Sequence, residues 1–243
     1  MPAELIVIDG PAGAGKSTVA RRIAERFGAA LLDTGAIYRS LAWLARGRGV
    51  DWDDESGLAE IAAQLRIDFQ PPQQPGAPQR VLILNPVDAP ERAPIDVTGL
   101  IRAPEISEGA SRVSQHAAVR AALLDIQRGI AAVSVAAGRG CVAEGRDMGT
   151  VVFPEAAHKF FLTATRSARA SRRHKELTAS GAVASRGEVE SEMAQRDQRD
   201  SSRETAPLQQ ADDAALIDSS ELDIDAVVAQ IVAAIQAAGP TPA

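Results

Sequence analysis

The sequence predicts an α/β fold built on a parallel sheet, and three observations carry the prediction. A short apolar, largely β-branched run, Leu5-Ile6-Val7-Ile8, leads straight into the glycine-rich segment Gly10-Pro11-Ala12-Gly13-Ala14-Gly15. A helical pattern follows, with Val19, Ala20, Ile23, Ala24 and Phe27 on one face and Arg21, Arg22 and Glu25 on the other. A second apolar pair, Leu31-Leu32, then runs into Asp33-Thr34-Gly35. Strand, turn, helix, strand is the opening unit of a parallel sheet, because two parallel strands need a crossover between them.

The remaining elements follow in order. Gly28 stands where a left-handed residue would close the first helix. Cys141-Val142-Ala143, Lys159-Phe160-Phe161-Leu162 and Ala215-Leu216-Ile217 are apolar runs of buried-strand length. Helical patterns cover Ala117–Ile130 and Ile224–Ala237. In the second of these, Val227, Val228, Ile231, Val232 and Ile235 form a stripe suited to docking on a sheet. Residues 70–80 carry Pro71, Pro72, Pro75 and Pro78, which rule out a helix. Their flanks, Ile67-Asp68-Phe69 and Val81-Leu82-Ile83-Leu84, can pair as a hairpin, so a small antiparallel insert is expected at about 67–98. Residues 166–203 hold nine basic side chains against six carboxylates. That pattern suits either a local positive field or a solvated helical face.

Composition narrows the function classes. A chain of 243 residues suits a single α/β domain with insertions, or at most two small domains. At 45% hydrophobic and 24% charged it is not a disordered chain. No apolar stretch reaches the ~18 residues of a spanning helix, and Met1-Pro2-Ala3-Glu4 lacks a basic leader. Membrane insertion and secretion are not expected, and a cytoplasmic location is. A net charge of −6 argues against attraction to a nucleic acid polymer or an anionic membrane. The lone cysteine, Cys141, reads as a small buried residue. Of 26 basic residues only Lys16, Lys159 and Lys175 are lysine. A lysine kept in so arginine-rich a chain suggests a need for a compact ammonium rather than a planar fork.

One of those lysines completes a phosphate loop. Gly10-x-x-x-x-Gly15-Lys16-Ser17 sits between the predicted strand and helix, the context this motif requires. Its glycines let backbone N–H groups curl around phosphate oxygens, and the helix points its positive end at the same charge. ATP is therefore expected along Gly10, Pro11, Ala12, Gly13, Ala14, Gly15, Lys16, Ser17 and Thr18. Lys16 would neutralise the β- and γ-oxygens, and the Ser17 hydroxyl would ligate Mg²⁺. A second carboxylate belongs at a neighbouring strand end. Asp9, Asp33 and Glu144 all qualify, and Glu144, acting through water, is the expected choice because Gly145-Arg146-Asp147 follows it.

A phosphate loop could serve a switch GTPase, a motor ATPase or a small-molecule kinase. The Asn-Lys-x-Asp base reader of guanine switches is missing. A small kinase needs arginines aimed at a second phosphate and an arginine-bearing lid, and both are available here. No metal-ligand spacing joins His116, His158 and His174, which read as structural or solvated. Tyr38, the single tyrosine, suits core packing or a pocket equally.

Four runs make the resemblance specific. Gly10–Thr18, Asp33-Thr34-Gly35-Ala36-Ile37-Tyr38-Arg39, Glu144-Gly145-Arg146-Asp147-Met148-Gly149-Thr150-Val151-Val152-Phe153-Pro154 and Arg196-Asp197-x-Arg199-Asp200-x-x-Arg203 resemble the bacterial cytidylate kinases, a family of P-loop nucleoside monophosphate kinases. The likeness runs nearly end to end. It implies a three-layer P-loop core with a five-stranded parallel sheet in one domain spanning 1–243, a CMP-binding insert and a helical lid at about 164–185. It implies phosphoryl transfer from ATP to CMP or dCMP with Mg²⁺, by an enzyme expected to be monomeric. By position, Arg39, Arg146 and Arg203 would hold the CMP phosphate, beside Gly145. Ser111, Arg120 and Asp147 would read cytosine, with Thr34 lining the pocket, and Arg196 and Asp200 would hold the ribose. Arg169, Arg172 and Arg173 would be lid arginines acting with Lys16 and Arg146 in catalysis. Thr34 stands where serine is commoner, Glu144 where aspartate also occurs, and Gln115-His116-Ala117-Ala118 lacks a proline expected before Val119-Arg120. A kinase for UMP, AMP or dTMP, or a nucleotide-dependent regulatory module, remains the alternative.

Overall fold

The computed structural model describes residues 4–72, 74, 77–84, 93–179, 181 and 183–238. The chain divides into two compact units, one made of the chain up to Leu32 and from Arg128 onward, the other of Asp33–Gln127.

The first unit carries the parallel sheet, in the order β2-β6-β1-β7-β8. Its strands are β1 (Leu5–Asp9), β2 (Ala30–Asp33), β6 (Cys141–Gly145), β7 (His158–Thr163) and β8 (Ala215–Asp218), of which the last residue of β2 already belongs to the second unit. β1 lies at the centre, with Ile8 opposite Glu144 and Phe160, and Asp9 opposite Gly145 and Phe161. Helices α1 (Lys16–Phe27) and α8 (Ile224–Ala238) pack against each other on one face. There Val19, Ile23, Val227, Ile231 and Ile235 meet Ile6, Ile8, Val142, Phe160, Leu162 and Ile217. Val228 of the expected stripe is only partly buried, and the other four positions are core. Val7, Cys141 and Ala143, which point the opposite way, are also fully buried. Both faces of the inner strands β1 and β6 are thus covered, which is why they read as unbroken apolar runs. The edge strand β8, also an apolar run, buries only Ile217 and leaves Ala215 and Leu216 exposed. Gly28 closes α1 at φ 63°, as its position predicts.

Helix α6 (Arg166–Ala179) lies within the stretch 164–185 expected to form the lid, α7 (Arg186–Ser201) begins just past it, and residues 180 and 182 lie outside the described residues. A reciprocal Ser185–Glu188 capping box starts α7. The pair shares a small apolar cluster of Ala170, Leu177, Val189 and Met193.

The second unit holds α2 (Thr34–Gly47), α3 (Glu55–Gln64), α4 (Pro104–Val113) and the start of α5 (Ala117–Ala136). Asp33 caps α2 by accepting from the Ala36 amide at 2.8 Å. The expected hairpin is present as β3 (Ile67–Gln70) and β4 (Arg80–Ile83), paired antiparallel. A third strand, β5 (Ile95–Asp96), joins its edge. Residues 73, 75, 76 and 85–92 of the insert lie outside the described residues. Where a proline was expected before Val119, a different device starts α5. The Ala118 amide donates to the Glu55 carboxylate at 2.9 Å, and His116 Nε2 bonds the Trp52 carbonyl at 2.9 Å. α5 then runs past the expected stop at Ile130, through Gly129, to Ala136. Among the described residues no helix is long and apolar enough to cross a membrane.

Candidate active site

Leaving β1, the chain enters the phosphate loop through three glycines at positive φ: Gly10 at 145°, Gly13 at 73° and Gly15 at 96°. At Gly10 the requirement is absolute, since a Cβ there would meet the Leu162 carbonyl oxygen at 2.0 Å. Gly15 caps α1 without any side-chain acceptor, so no side chain competes with an anion for the amides of the first turn. Lys16 is buried and donates to the Pro11 carbonyl at 2.8 Å, closing the loop on itself. Burial, aided by Arg146 and Arg196 and opposed by Glu144 and Asp9, pulls the Lys16 ammonium down to about 7. Ser17 and Thr18 occupy the first turn of α1, with the Ser17 side chain open to solvent.

The carboxylates at the strand ends are not equivalent. Both oxygens of Asp9 are taken by backbone amides: Oδ1 by Met148 at 2.9 Å and Oδ2 by Gly149 at 2.8 Å. Burial pushes the Asp9 carboxyl up to about 6, against the pull of those two bonds. Asp33 is engaged with the Ala36 amide and with Arg39 at 3.0 Å. Glu144, at the end of β6, is buried and acts electrostatically on both Lys16 and Arg146.

From Gly145, the last residue of β6, Arg146 leads into a π-helical turn, Met148–Val152, whose preceding residue Asp147 is buried. Arg146 Nε bonds Asp200 Oδ2 at 2.8 Å, and Arg203 Nη2 bonds Asp200 Oδ1 at 3.0 Å. One buried carboxylate thereby holds two guanidinium groups. Burial alone would raise Asp200, but Arg146, Arg196 and Arg203 together hold it below its ordinary value. Burial likewise opposes the charge on Arg146, and Asp200, Glu144 and Asp197 outweigh it.

Along α6 the three expected lid arginines differ. Arg169 is buried; it donates to the Ala12 carbonyl of the phosphate loop at 3.0 Å and pairs with Asp197 at 2.7 Å. Arg172 forks onto Ser219, bonding its hydroxyl at 2.9 Å and its carbonyl. Arg173 is paired with Glu176, one turn on along the same helix. Sequence reasoning gives no role to Ser219, which lies outside every motif, or to Asp197, which lies within the 196–203 run.

In the second unit, Thr34 is buried at the first residue of α2, and Arg39 lies on the same helix, held by Asp33. Ser111, on α4, is buried, and its hydroxyl finds no hydrogen-bond partner among the described residues. Arg120, on α5, is buried and donates to the Ser114 carbonyl at 3.4 Å. Its guanidinium also sits 5.7 Å from the centre of the Tyr38 ring, so Tyr38 is both core and platform. A buried hydroxyl with no partner is costly unless something supplies one, a condition Ser111 shares with Ser40 on α2.

Among the described residues no cluster of three or more His, Cys, Asp or Glu could cage a metal. Mg²⁺ needs none, because it keeps several waters and takes its remaining oxygens from phosphates and one or two side chains. A hydroxyl at Ser17 and a carboxylate at Glu144 fit that donor set. Cys141 is buried, and burial pushes its thiol up to about 12, so it is no nucleophile.

The family model for cytidylate kinase matches residues 6–237. Cytidylate kinase 1 of Haemophilus influenzae is 44% identical over 235 residues, covering 97% of this chain and 94% of that protein. The cytidylate kinase of Methylococcus capsulatus is 45% identical over 232 residues, 96% of each. A bifunctional pantoate ligase/cytidylate kinase of Synechococcus sp. (strain CC9605) is 44% identical over 98% of this chain, which spans 48% of that longer protein.

Proposed function

The chain belongs to the cytidylate kinase family, and we propose that it transfers the γ-phosphoryl group of ATP to CMP or dCMP, giving ADP and CDP or dCDP. The observation that carries the proposal is one constellation at the carboxyl ends of β1 and β6. A glycine loop with a buried lysine suits phosphate chemistry, and two arginines, Arg203 buried and Arg146 partly so, pair with one buried aspartate, Asp200.

Phosphoryl transfer asks for position and charge rather than for a nucleophilic side chain. The loop amides and Lys16 hold the β- and γ-phosphates of ATP. Mg²⁺, held by Ser17 and through water by Glu144, would supply charge neutralisation on the phosphate oxygens. Arg146 and Arg203 take the CMP phosphate in the first unit. They cannot swing away, because Asp200 fixes both. In the second unit Arg39 takes phosphate, Ser111 and Arg120 take the base, and Thr34 lines the base site. Asp147 accepts from the cytosine N4 amino group, which uracil lacks. Arg196 and Asp200 hold the ribose. Arg169 ties α6 to the loop, and Arg172 and Arg173 reach the transferring group when the lid closes and excludes water. The enzyme is cytoplasmic and monomeric in this scheme. The test is ADP release with CMP, dCMP, UMP, AMP and dTMP as acceptors. Turnover confined to the cytidine nucleotides is expected. ADP release with another monophosphate as the preferred acceptor, or none that any acceptor stimulates, overturns the proposal.

A further inference from the structure

The turn that follows Asp147 is gripped at both ends by residues with no place in the scheme above. At its amino end the Asp9 carboxylate accepts from the Met148 and Gly149 amides. At its carboxyl end Arg128, on α5, donates from Nε to the Val152 carbonyl at 2.9 Å and from Nη2 to the Val151 carbonyl at 3.2 Å. A carboxylate on the free N–H groups and a guanidinium on the free C=O groups is the charge order a helical turn favours. Between the two grips the Asp147 carbonyl accepts from both Val151 (2.9 Å) and Val152 (3.1 Å). The backbone of Asp147 is therefore held on its carboxyl side by Val151 and Val152 directly, and by Asp9 and Arg128 through the turn those residues belong to.

We propose that Asp9 and Arg128 are positioning residues for base selection, together holding the Met148–Val152 turn so that Asp147 and Arg146 present their side chains in one geometry. The inference rests on the assignment of cytosine recognition to Asp147. A π-helical turn stores an awkward hydrogen-bond pattern and persists where neighbours over-determine it, commonly at functional sites. Displacing a recognition group by ~1 Å can cost on the order of 10²-fold in efficiency.

Arg128 gives the cleaner test, because among the described residues it bonds only the Val151 and Val152 carbonyls of the turn. Asp9, by contrast, adjoins Gly10 in the chain and acts electrostatically on Lys16. Arg128→Ala should lower the CMP/UMP ratio of kcat/KM by about tenfold through a higher KM for CMP, with the KM for ATP within about twofold of wild type. Arg128→Lys, which keeps one donor, should recover part of the ratio. Asp9→Asn places an amide NH₂ against a backbone N–H and should lower the ratio as well. Thermal unfolding establishes that each variant is folded. A folded Arg128→Ala protein with an unchanged ratio, or with KM values for ATP and CMP raised alike, overturns the proposal. Hydrogen exchange separates it from the kinase assignment. If wild type fails to phosphorylate CMP, faster amide exchange across 148–152 in Arg128→Ala still supports the grip, and unchanged protection refutes it.

Discussion

Two groups of arginines serve the same scheme under opposite constraints. Arg146 and Arg203, beside the end of β6, share the buried carboxylate of Asp200 and are set before any substrate arrives. The arginines of α6 loosen along the helix, from buried Arg169 on the phosphate loop, through Arg172 on Ser219, to Arg173 on a half-exposed pair. The difference separates binding from closure. Donors fixed in advance contribute wherever the substrate phosphate is bound, in ground state and transition state alike. Donors that must leave one partner for another contribute mainly once the lid shuts, and so act on turnover.

That contrast can be broken at several points. The largest effect lies in the phosphate loop that both groups serve: Lys16→Ala should lower kcat by at least ~10³-fold while the thermal unfolding curve keeps its shape. Near-normal turnover in the folded variant would remove the phosphate loop from the chemistry. Arg203→Ala should raise the KM for CMP by about 10²-fold with a smaller change in kcat, since it removes a preset phosphate contact and frees one Asp200 oxygen. Arg172→Ala should show the reverse, a kcat reduced by roughly 10- to 30-fold with little change in either KM. A pure KM effect would place Arg172 among the fixed donors instead.

The smallest effect is a proton. The free protein holds Lys16 near 7, well below an ordinary ammonium, chiefly because it is buried. The nucleotide polyanion favours the charged form, so its binding raises that value. Above pH 7 the lysine is then largely neutral when free and charged when bound, and a proton is taken up with ATP. Calorimetry at pH 8 in buffers of different ionisation enthalpy should record an uptake approaching one proton, with ATP affinity falling as pH rises from 7.5 to 9. Lys16→Met should abolish both. No uptake in wild type would mean that Lys16 stays charged throughout.

Much of this was legible in the sequence because local chemistry dictates it. The glycine spacing from Gly10 to Gly15 demands positive φ and close backbone approach, and all three turn glycines adopt it. The stripe on α8 and the left-handed Gly28 follow from periodicity and from steric rules of the same kind. What stayed hidden depends on partners distant in sequence. Asp9 at a strand end reads as a metal ligand until Met148 and Gly149 are seen to consume both oxygens. Arg128 is one basic residue on a long helix until Val151 and Val152 turn their carbonyls to it. β5 is two residues long, too short for any alternation to register. The helix expected over Ala117–Ile130 already includes Gly129, where a glycine open to solvent costs a helix only about 1 kcal/mol, and α5 continues past Ile130 to Ala136.

The most direct test of the whole scheme is base choice at Asp147. Cytosine offers an N4 amino donor where uracil offers an O4 acceptor, so uracil would set an oxygen against the buried carboxylate. Sites of this kind reject the mismatched base by as much as ~10⁴-fold. The measurement is kcat/KM for CMP and for UMP in wild type and in Asp147→Ala. The account predicts a strong preference for CMP in wild type and, in the variant, a steep loss for CMP with a much smaller one for UMP, so that the preference collapses. An unchanged CMP/UMP ratio in folded Asp147→Ala would contradict it.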